Sequence, residues 1–258
     1  YVLSLTIISI LLGKLISFDI LKYLFFVQNF TSIWVENDYF SIAWSLSVEE
    51  WFYIIFPLYL IIINKYNNKL YLLSYCIIFV LIIFIIRVNY SSDTNWGENV
   101  RRIVLYRLDS IVFGFLLFLI KDKIKNTIKI NFLLITLAIV FSIIVFSIQK
   151  INAIENNNFY KILFHYVIAI WGSLVVSIFY LLDKKIQNLR IINVNLFLGK
   201  ISYSIYLFHL SVIYIISIIN IPIIWSIILF LFLQIILSSF LYYYFEKPIL
   251  QIRPAYQK

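Results

Sequence analysis

Apolar residues run along this chain in long unbroken blocks separated by short polar stretches, without the alternation of a half-buried strand. Blocks of this length are what a helix needs to cross a hydrocarbon layer about 30 Å thick, which takes about 20 apolar residues. The pattern predicts eight spans, over residues 1–17, 48–63, 70–87, 102–120, 131–149, 162–182, 201–219 and 223–244. The expected fold is an all-α polytopic membrane bundle, a single domain over residues 1–258, and no internal repeat or low-complexity linker divides it. The longest polar interruption, 18–47, contains an apolar stretch from Phe18 to Phe30 that suits the membrane interface.

The short polar stretches alternate in charge. Those holding Lys65 and Lys69, then Lys121, Lys123, Lys125 and Lys129, then Lys184, Lys185 and Arg190, are basic. Those holding Glu36 and Asp38, Asp93 and Glu98, and Glu155 are acidic or mixed. Lys and Arg collect on the cytoplasmic side of membrane proteins. Eight spans with both ends cytoplasmic put every basic loop inside, and one span more or fewer breaks the pattern.

Composition agrees with this reading. The hydrophobic class is 63% of the chain, charged residues are 13%, and the mean hydropathy is +0.97. The net charge of +9 is spread over loops between spans, with no continuous basic stripe, so nucleic acid is not an expected partner; the lipid bilayer is. The single cysteine, Cys76, cannot form an internal disulfide and reads as a small buried apolar residue. The chain contains no methionine and opens inside an apolar run, so it is expected to lack an N-terminal segment.

Three segments carry polar groups that an apolar helix would not otherwise keep. The first is Trp44–Pro57, in which Glu49 and Glu50 are adjacent. Ser45, Glu49 and Tyr53 lie one helical turn apart and share a face, while Glu50 points elsewhere. An N-terminal cap by Ser45, with acids at the positive helix end, accounts for the same residues. The second is Arg101–Gly114. Arg101 and Arg102 suit an interfacial anchor, but Arg107 falls roughly 8 Å inside the span and Asp109 deeper. Arg107 and Asp109 point to different faces, so each needs a partner on another helix, and Glu49 is the one expected for Arg107. Either a structural ion pair or a functional group fits. The third is Leu198–Val212, where Ser202, Tyr206 and His209 form a polar stripe at i, i+4 and i+7. A packing role for His209 remains open. His165 has no such stripe and is expected at the interface. No Gly-rich phosphate loop, HExxH, paired cysteine or Gly-x-Ser-x-Gly elbow occurs, and two histidines with one cysteine make a bound metal or haem cofactor unexpected.

Together these segments resemble the acyltransferase-3 family of bacterial integral-membrane acyltransferases. Its Trp-Ser-Leu-Ser-Val-Glu-Glu-x-Phe-Tyr-x-x-x-Pro signature is matched by Trp44 to Glu50, Phe52, Tyr53 and Pro57. Its Arg-x-Asp with a later Gly is matched by Arg107, Asp109 and Gly114, its Leu-Gly-x-Ile-Ser-Tyr-Ser-x-Tyr-Leu-x-His by Leu198 through His209, and its Glu-Lys/Arg-Pro ending by Glu246, Lys247 and Pro248. The chain departs from the family at Trp51, usually polar, and at Ser211, commonly Pro. The resemblance implies a ten-helix bundle whose first helix carries a catalytic His and whose second is followed by a basic Arg-x-x-Arg. Neither feature occurs in this chain, and eight spans are what remains when two are lost.

The implied activity is transfer of an acyl group, commonly acetyl from acetyl-CoA, to a hydroxyl of a cell-surface glycan or related acceptor. The implied location is the bacterial cytoplasmic membrane. Such a reaction needs a base at the attacking hydroxyl and donors at the developing oxyanion. Glu49, Arg107 and His209 are the expected catalytic residues. Ser45, Glu50, Tyr53, Asp109, Ser202 and Tyr206 are the expected supporting or substrate-binding ones. A lipid-linked sugar transporter is the main rival, although paired Gly- or Pro-interrupted helices in repeated halves are missing. An inactive truncated scaffold is the other.

Overall fold

The computed structural model describes residues 1–14, 18–35, 38–63, 68–90, 95–121, 127–150, 154, 157–186, 192–219 and 221–252. The loop charges at Glu36, Lys65, Asp93, Lys123, Lys125, Glu155 and Arg190 lie outside these residues, as do the last three of the expected span 1–17. Among the described residues all regular structure is helical. The helices are α1 (Val2–Leu11), α2 (Asp19–Leu24), α3 (Ala43–Ile63), α4 (Lys69–Tyr90), α5 (Leu108–Ile120), α6 (Ile128–Lys150), α7 (Asn158–Ile186), α8 (Ile192–Ile219), α9 (Ile223–Leu241) and α10 (Lys247–Ile252). A π-helical turn, Tyr242–Glu246, joins α9 to α10.

Six segments are long and apolar enough to cross a membrane: Ala43–Ile63, Lys69–Tyr90, Lys129–Gln149, Asn158–Leu182, Asn193–Ile219 and Ile223–Ile252. The other two expected spans are shorter helices of 10 and 13 residues, α1 and α5. Each has a local reason. α1 stops because Gly13 takes φ +65 and the Lys14 and Gly13 amides donate to the carbonyls of Ser9 and Ile10, a Schellman ending that only glycine adopts cheaply. α5 starts late because the chain before it is diverted. The amides of Val104 and Leu105 donate to the carbonyls of Asn29 and Phe30 at 3.0 and 3.3 Å, leaving Ile103 extended and Arg107 outside the helix. Arg107 therefore caps α5 and does not lie inside it, a correction to the depth expected for it.

The chain forms two compact units, Phe18–Lys184 and Tyr1–Ser17 with Lys185–Lys258. In the first, α3, α4 and α5 pack through Val48, Phe52 and Phe56, Cys76, Phe79 and Ile83, and Leu108, Val112 and Leu119. Phe56 is the hub, stacked on Phe52 at 4.8 Å and meeting Phe79 and Phe115 edge-on at 5.2 and 5.4 Å. Cys76 is fully buried in this core, as its surroundings in the chain predict. In the second unit α1 and α9 pack on α8. Polar groups tie the helices where apolar burial gives no preference between protein and lipid: Ser4 donates to the Leu207 carbonyl at 2.6 Å, and Gln234 to the Ile205 carbonyl at 2.9 Å. Large apolar side chains such as Ile61, Ile62, Phe132 and Ile228 remain exposed, as a lipid-facing surface requires.

Candidate functional site

At one end of the first unit, segments 28–47 and 95–107 are bonded into a single polar layer. Asn29 donates to the carbonyls of Trp44, at 3.2 Å, and Arg102. Gln28 donates to the Ala43 carbonyl and to the Ser47 hydroxyl. Arg102 pairs with Asp38 at 2.7 Å, and the Tyr23 hydroxyl donates to the same carboxylate at 2.9 Å. Burial, and next the Asp38 charge, raise the pKa of the Tyr23 phenol. Trp51 departs from the family pattern for a visible reason: its indole N–H donates to the Phe26 carbonyl at 2.9 Å, holding a turn in which Phe26 has φ +56.

This layer gathers cations around Trp44. The Arg101 and Arg107 guanidinium carbons lie 5.7 and 5.5 Å from its ring, and Arg101 lies 5.5 Å from Trp96. Burial, and next the Arg102 charge, lower the pKa of Arg101, although no arginine deprotonates near neutrality. Arg107 Nη1 is 3.1 Å from His165 Nδ1, and the His165 ring stacks on Trp96 at 6.1 Å. His165 is 1% exposed, enclosed by the protein. Because a guanidinium only donates, Nδ1 of His165 must accept, which places the proton of the neutral ring on Nε2. That Nε2 is buried and has no hydrogen-bond partner among the described residues.

Asp109 finds the cross-helix partner that its position demands, and it is Arg87 of α4. Arg87 Nη2 lies 2.7 and 2.6 Å from the two carboxylate oxygens. Arg87 is 0% exposed, donates further to the carbonyls of Tyr106 and Ile162, and lies 5.0 Å from the Tyr166 ring. The partner expected for Arg107 is corrected: it is His165, not Glu49. Gly114, the last residue of that motif, opens on a cavity of about 270 Å³ shared with Leu117, Phe118, Lys121, Val176, Ser177 and Tyr180.

On α3 the buried side carries Leu46, Ser47, Phe52 and Phe56. Ser45, Glu49 and Tyr53 share the other side, with Ser45 half-buried, Glu49 exposed and Tyr53 61% exposed. The helix begins at Ala43, so Glu49 sits nearly two turns in, and the capping account of Ser45 and Glu49 does not hold. Glu49 has no hydrogen bond or ion pair among the described residues. Glu50 is exposed on a different flank, lining a cavity of about 330 Å³ with Phe25, Phe26, Val27, Trp51 and Ile54.

The second unit holds the stripe of α8. Ser202 is exposed and donates to the Gly199 carbonyl at 2.8 Å, while Tyr206 and His209 are half-buried with ring centroids 5.9 Å apart. His209 Nδ1 lies 2.7 Å from the Tyr206 carbonyl. A carbonyl only accepts, so Nδ1 carries the proton and the Nε2 lone pair is free to take one. On the neighbouring face Ser204 donates to Glu246, joining the Leu198–His209 segment to the Glu-Lys-Pro ending. The buried Ser211 hydroxyl has no partner among the described residues.

Glu49 and Arg107 thus belong to one unit and His209 to the other. Arg87, His165, Ser204 and Glu246 are the polar groups that spacing along single helices did not single out. Among the described residues no three His, Cys, Asp or Glu side chains are placed to hold a metal ion. The family model described as an acyltransferase domain matches residues 1–244, nearly the whole chain. No curated protein and no solved structure matches it.

Proposed function

The chain belongs to this acyltransferase family, and from that premise we propose that it moves an acetyl group from acetyl-CoA to a hydroxyl of a cell-surface glycan or related acceptor. Another acyl-CoA serves the same chemistry. The setting is the bacterial cytoplasmic membrane, where the donor is cytoplasmic and the acceptor external.

The observation that carries this reading is the match of the acyltransferase-domain model to residues 1–244, and the hydrogen bond from His209 Nδ1 to the Tyr206 carbonyl leaves Nε2 able to relay a proton. The acceptor hydroxyl attacks the thioester carbonyl while its proton passes to that nitrogen. The carbon–sulfur bond then breaks, and the proton leaves with the CoA thiolate as the free thiol. Glu49, a carboxylate with no hydrogen bond or ion pair among the described residues, has the charge to stabilise the imidazolium of a catalytic histidine, as the acid of a triad does. Arg107 and the Tyr206 hydroxyl are each donors of the kind that a developing oxyanion or a polar acceptor requires. Ser45 and Tyr53 on the face of Glu49, Ser202 on that of His209, and Glu50 on its own flank are supporting polar groups for the acceptor. Asp109 acts at a distance, by holding Arg87.

The test uses the purified chain in liposomes with acetyl-labelled acetyl-CoA and a bacterial surface polysaccharide. Label should appear in the polysaccharide as a base-labile ester. Movement of a lipid-linked sugar across the bilayer without any ester would instead favour the transporter, and neither outcome would favour an inactive scaffold.

A further inference from the structure

Among the described residues at the polar end of the first unit are four arginines, and two are ion-paired: Arg87 with Asp109, and Arg102 with Asp38. Arg101 and Arg107 meet indole rings and a neutral imidazole, and neither forms an ion pair among the described residues. Glu98, in the same segment, is exposed and joins no ion pair there. The Nε atoms of Arg101 and Arg107 are buried without a hydrogen-bond partner among the described residues, and so is His165 Nε2, a donor in the tautomer that Arg107 imposes.

Cation–π contact with Trp44 is a weak return for withdrawing two guanidiniums from water. An anion would offset that cost, and the planar guanidinium fork suits a carboxylate or phosphate. The loop-charge alternation puts this end, with Asp38 and Glu98, outside, where Lys and Arg are not needed to set orientation. The adjoining cleft between Gln28, Asn29, Asp38, Trp44 and Arg102 is about 10 Å³, room for one water. Its unpartnered Gln28 and Asn29 oxygens accept hydrogen bonds, so water suits it and an anion does not. Arg101 and Arg107 are each half-buried, so the anion reaches them from their accessible side.

We infer that Arg101 and Arg107 form an anion-binding subsite that takes an acceptor bearing a carboxylate or phosphate, with His165 holding Arg107 from the buried side. That the ligand is the acceptor rests on the acyltransfer reading above; that the site binds an anion does not.

Phenylglyoxal footprinting, read at each arginine by mass spectrometry, tests this on the full chain in phosphatidylcholine nanodiscs. The probes are glucuronate and inorganic phosphate, with glucose as the uncharged control. At ten times its Kd an anion should slow modification of Arg101 and Arg107 about tenfold. Glucose should not, and Arg102, already paired, should change little. Arg101→Gln should abolish the protection of Arg107, and Arg101→Lys should retain part of it. Should Arg101→Gln fail to fold, the wild-type footprint alone decides. Equal reactivity with and without both anions overturns the proposal. Protection by phosphatidylglycerol nanodiscs but by neither soluble anion overturns the acceptor assignment and makes the site a lipid-headgroup contact. Anion protection in a chain that transfers no acyl group leaves the subsite standing and removes the acyltransfer reading. Ester formation on an uncharged glycan without any protection does the reverse.

Discussion

Arg107 Nη1 lies 3.1 Å from Nδ1 of His165, and this one contact decides which ring nitrogen of that histidine carries its proton. His209 is held the opposite way, by a carbonyl at 2.7 Å from its Nδ1. The two histidines of the chain therefore have different chemistry: His165 offers an N–H and His209 a lone pair. Nitrogen-15 NMR of the imidazole-labelled protein should show His165 as the Nε2–H tautomer and His209 as the Nδ1–H tautomer. Substituting Arg107→Ala should release His165 from its single form and leave the His209 signals unchanged. Two histidines sharing one tautomer would remove the distinction.

Asp109 neutralises a guanidinium that has no exposure to solvent. Asp109→Ala would leave Arg87 charged and buried without the carboxylate that balances it. Breaking a buried pair on one side costs about 3–5 kcal/mol, whereas replacing both partners by apolar groups is often neutral. Thermal unfolding in detergent should therefore show a severe loss for Asp109→Ala and recovery of most of it in Asp109→Leu combined with Arg87→Met. A double variant no more stable than the single one would show that Asp109 acts otherwise than by holding Arg87.

The apolar blocks were legible because each spans a hydrocarbon thickness, and Cys76 because it lies in the predominantly apolar block 70–87. Trp44–Pro57 was legible as a motif, and the face shared by Ser45, Glu49 and Tyr53 followed from helical spacing alone. The early stop of α1 was hidden in a single glycine: an αL residue at Gly13 ends a helix that the apolar pattern would continue. The late start of α5 was harder to foresee, since the competing hydrogen bonds come from Asn29 and Phe30, more than seventy residues earlier. His165 was missed for the same reason. Its partners, Arg107 and Trp96, stand on other segments, so no periodicity within α7 could show them. Asp109 demanded a cross-helix partner by its depth, but nothing in its spacing could select Arg87.

Glu49 is the group whose removal should separate activity from folding most cleanly. It is exposed, lies well past the start of α3, and has no hydrogen bond or ion pair among the described residues. Glu49→Gln preserves shape and helix propensity, so stability should change by no more than about 0.5 kcal/mol. Acyl transfer should fall at least about a hundredfold, about 2.7 kcal/mol of lost transition-state stabilisation. The measurement is label transfer from acetyl-CoA beside an unfolding curve on the same preparation. Full activity in an equally stable variant would take Glu49 out of the mechanism.

His209 separates catalysis from packing on α8. Its ring is half-buried, and the bond to the Tyr206 carbonyl lies within its own helix, so removing the ring breaks no hydrogen bond between helices among the described residues. His209→Ala should therefore insert and accumulate normally, with water taking the vacated polar space. If Nε2 accepts the acceptor's proton, acyl transfer should drop at least about tenfold, about 1.4 kcal/mol. His209→Asn adds a sharper control. An asparagine amide can repeat the Nδ1–H donation to the carbonyl, but it has no lone pair of comparable basicity. A packing role would let Asn restore activity, whereas a base would leave Asn as impaired as Ala. Equal activity in all three proteins would withdraw His209 from the site.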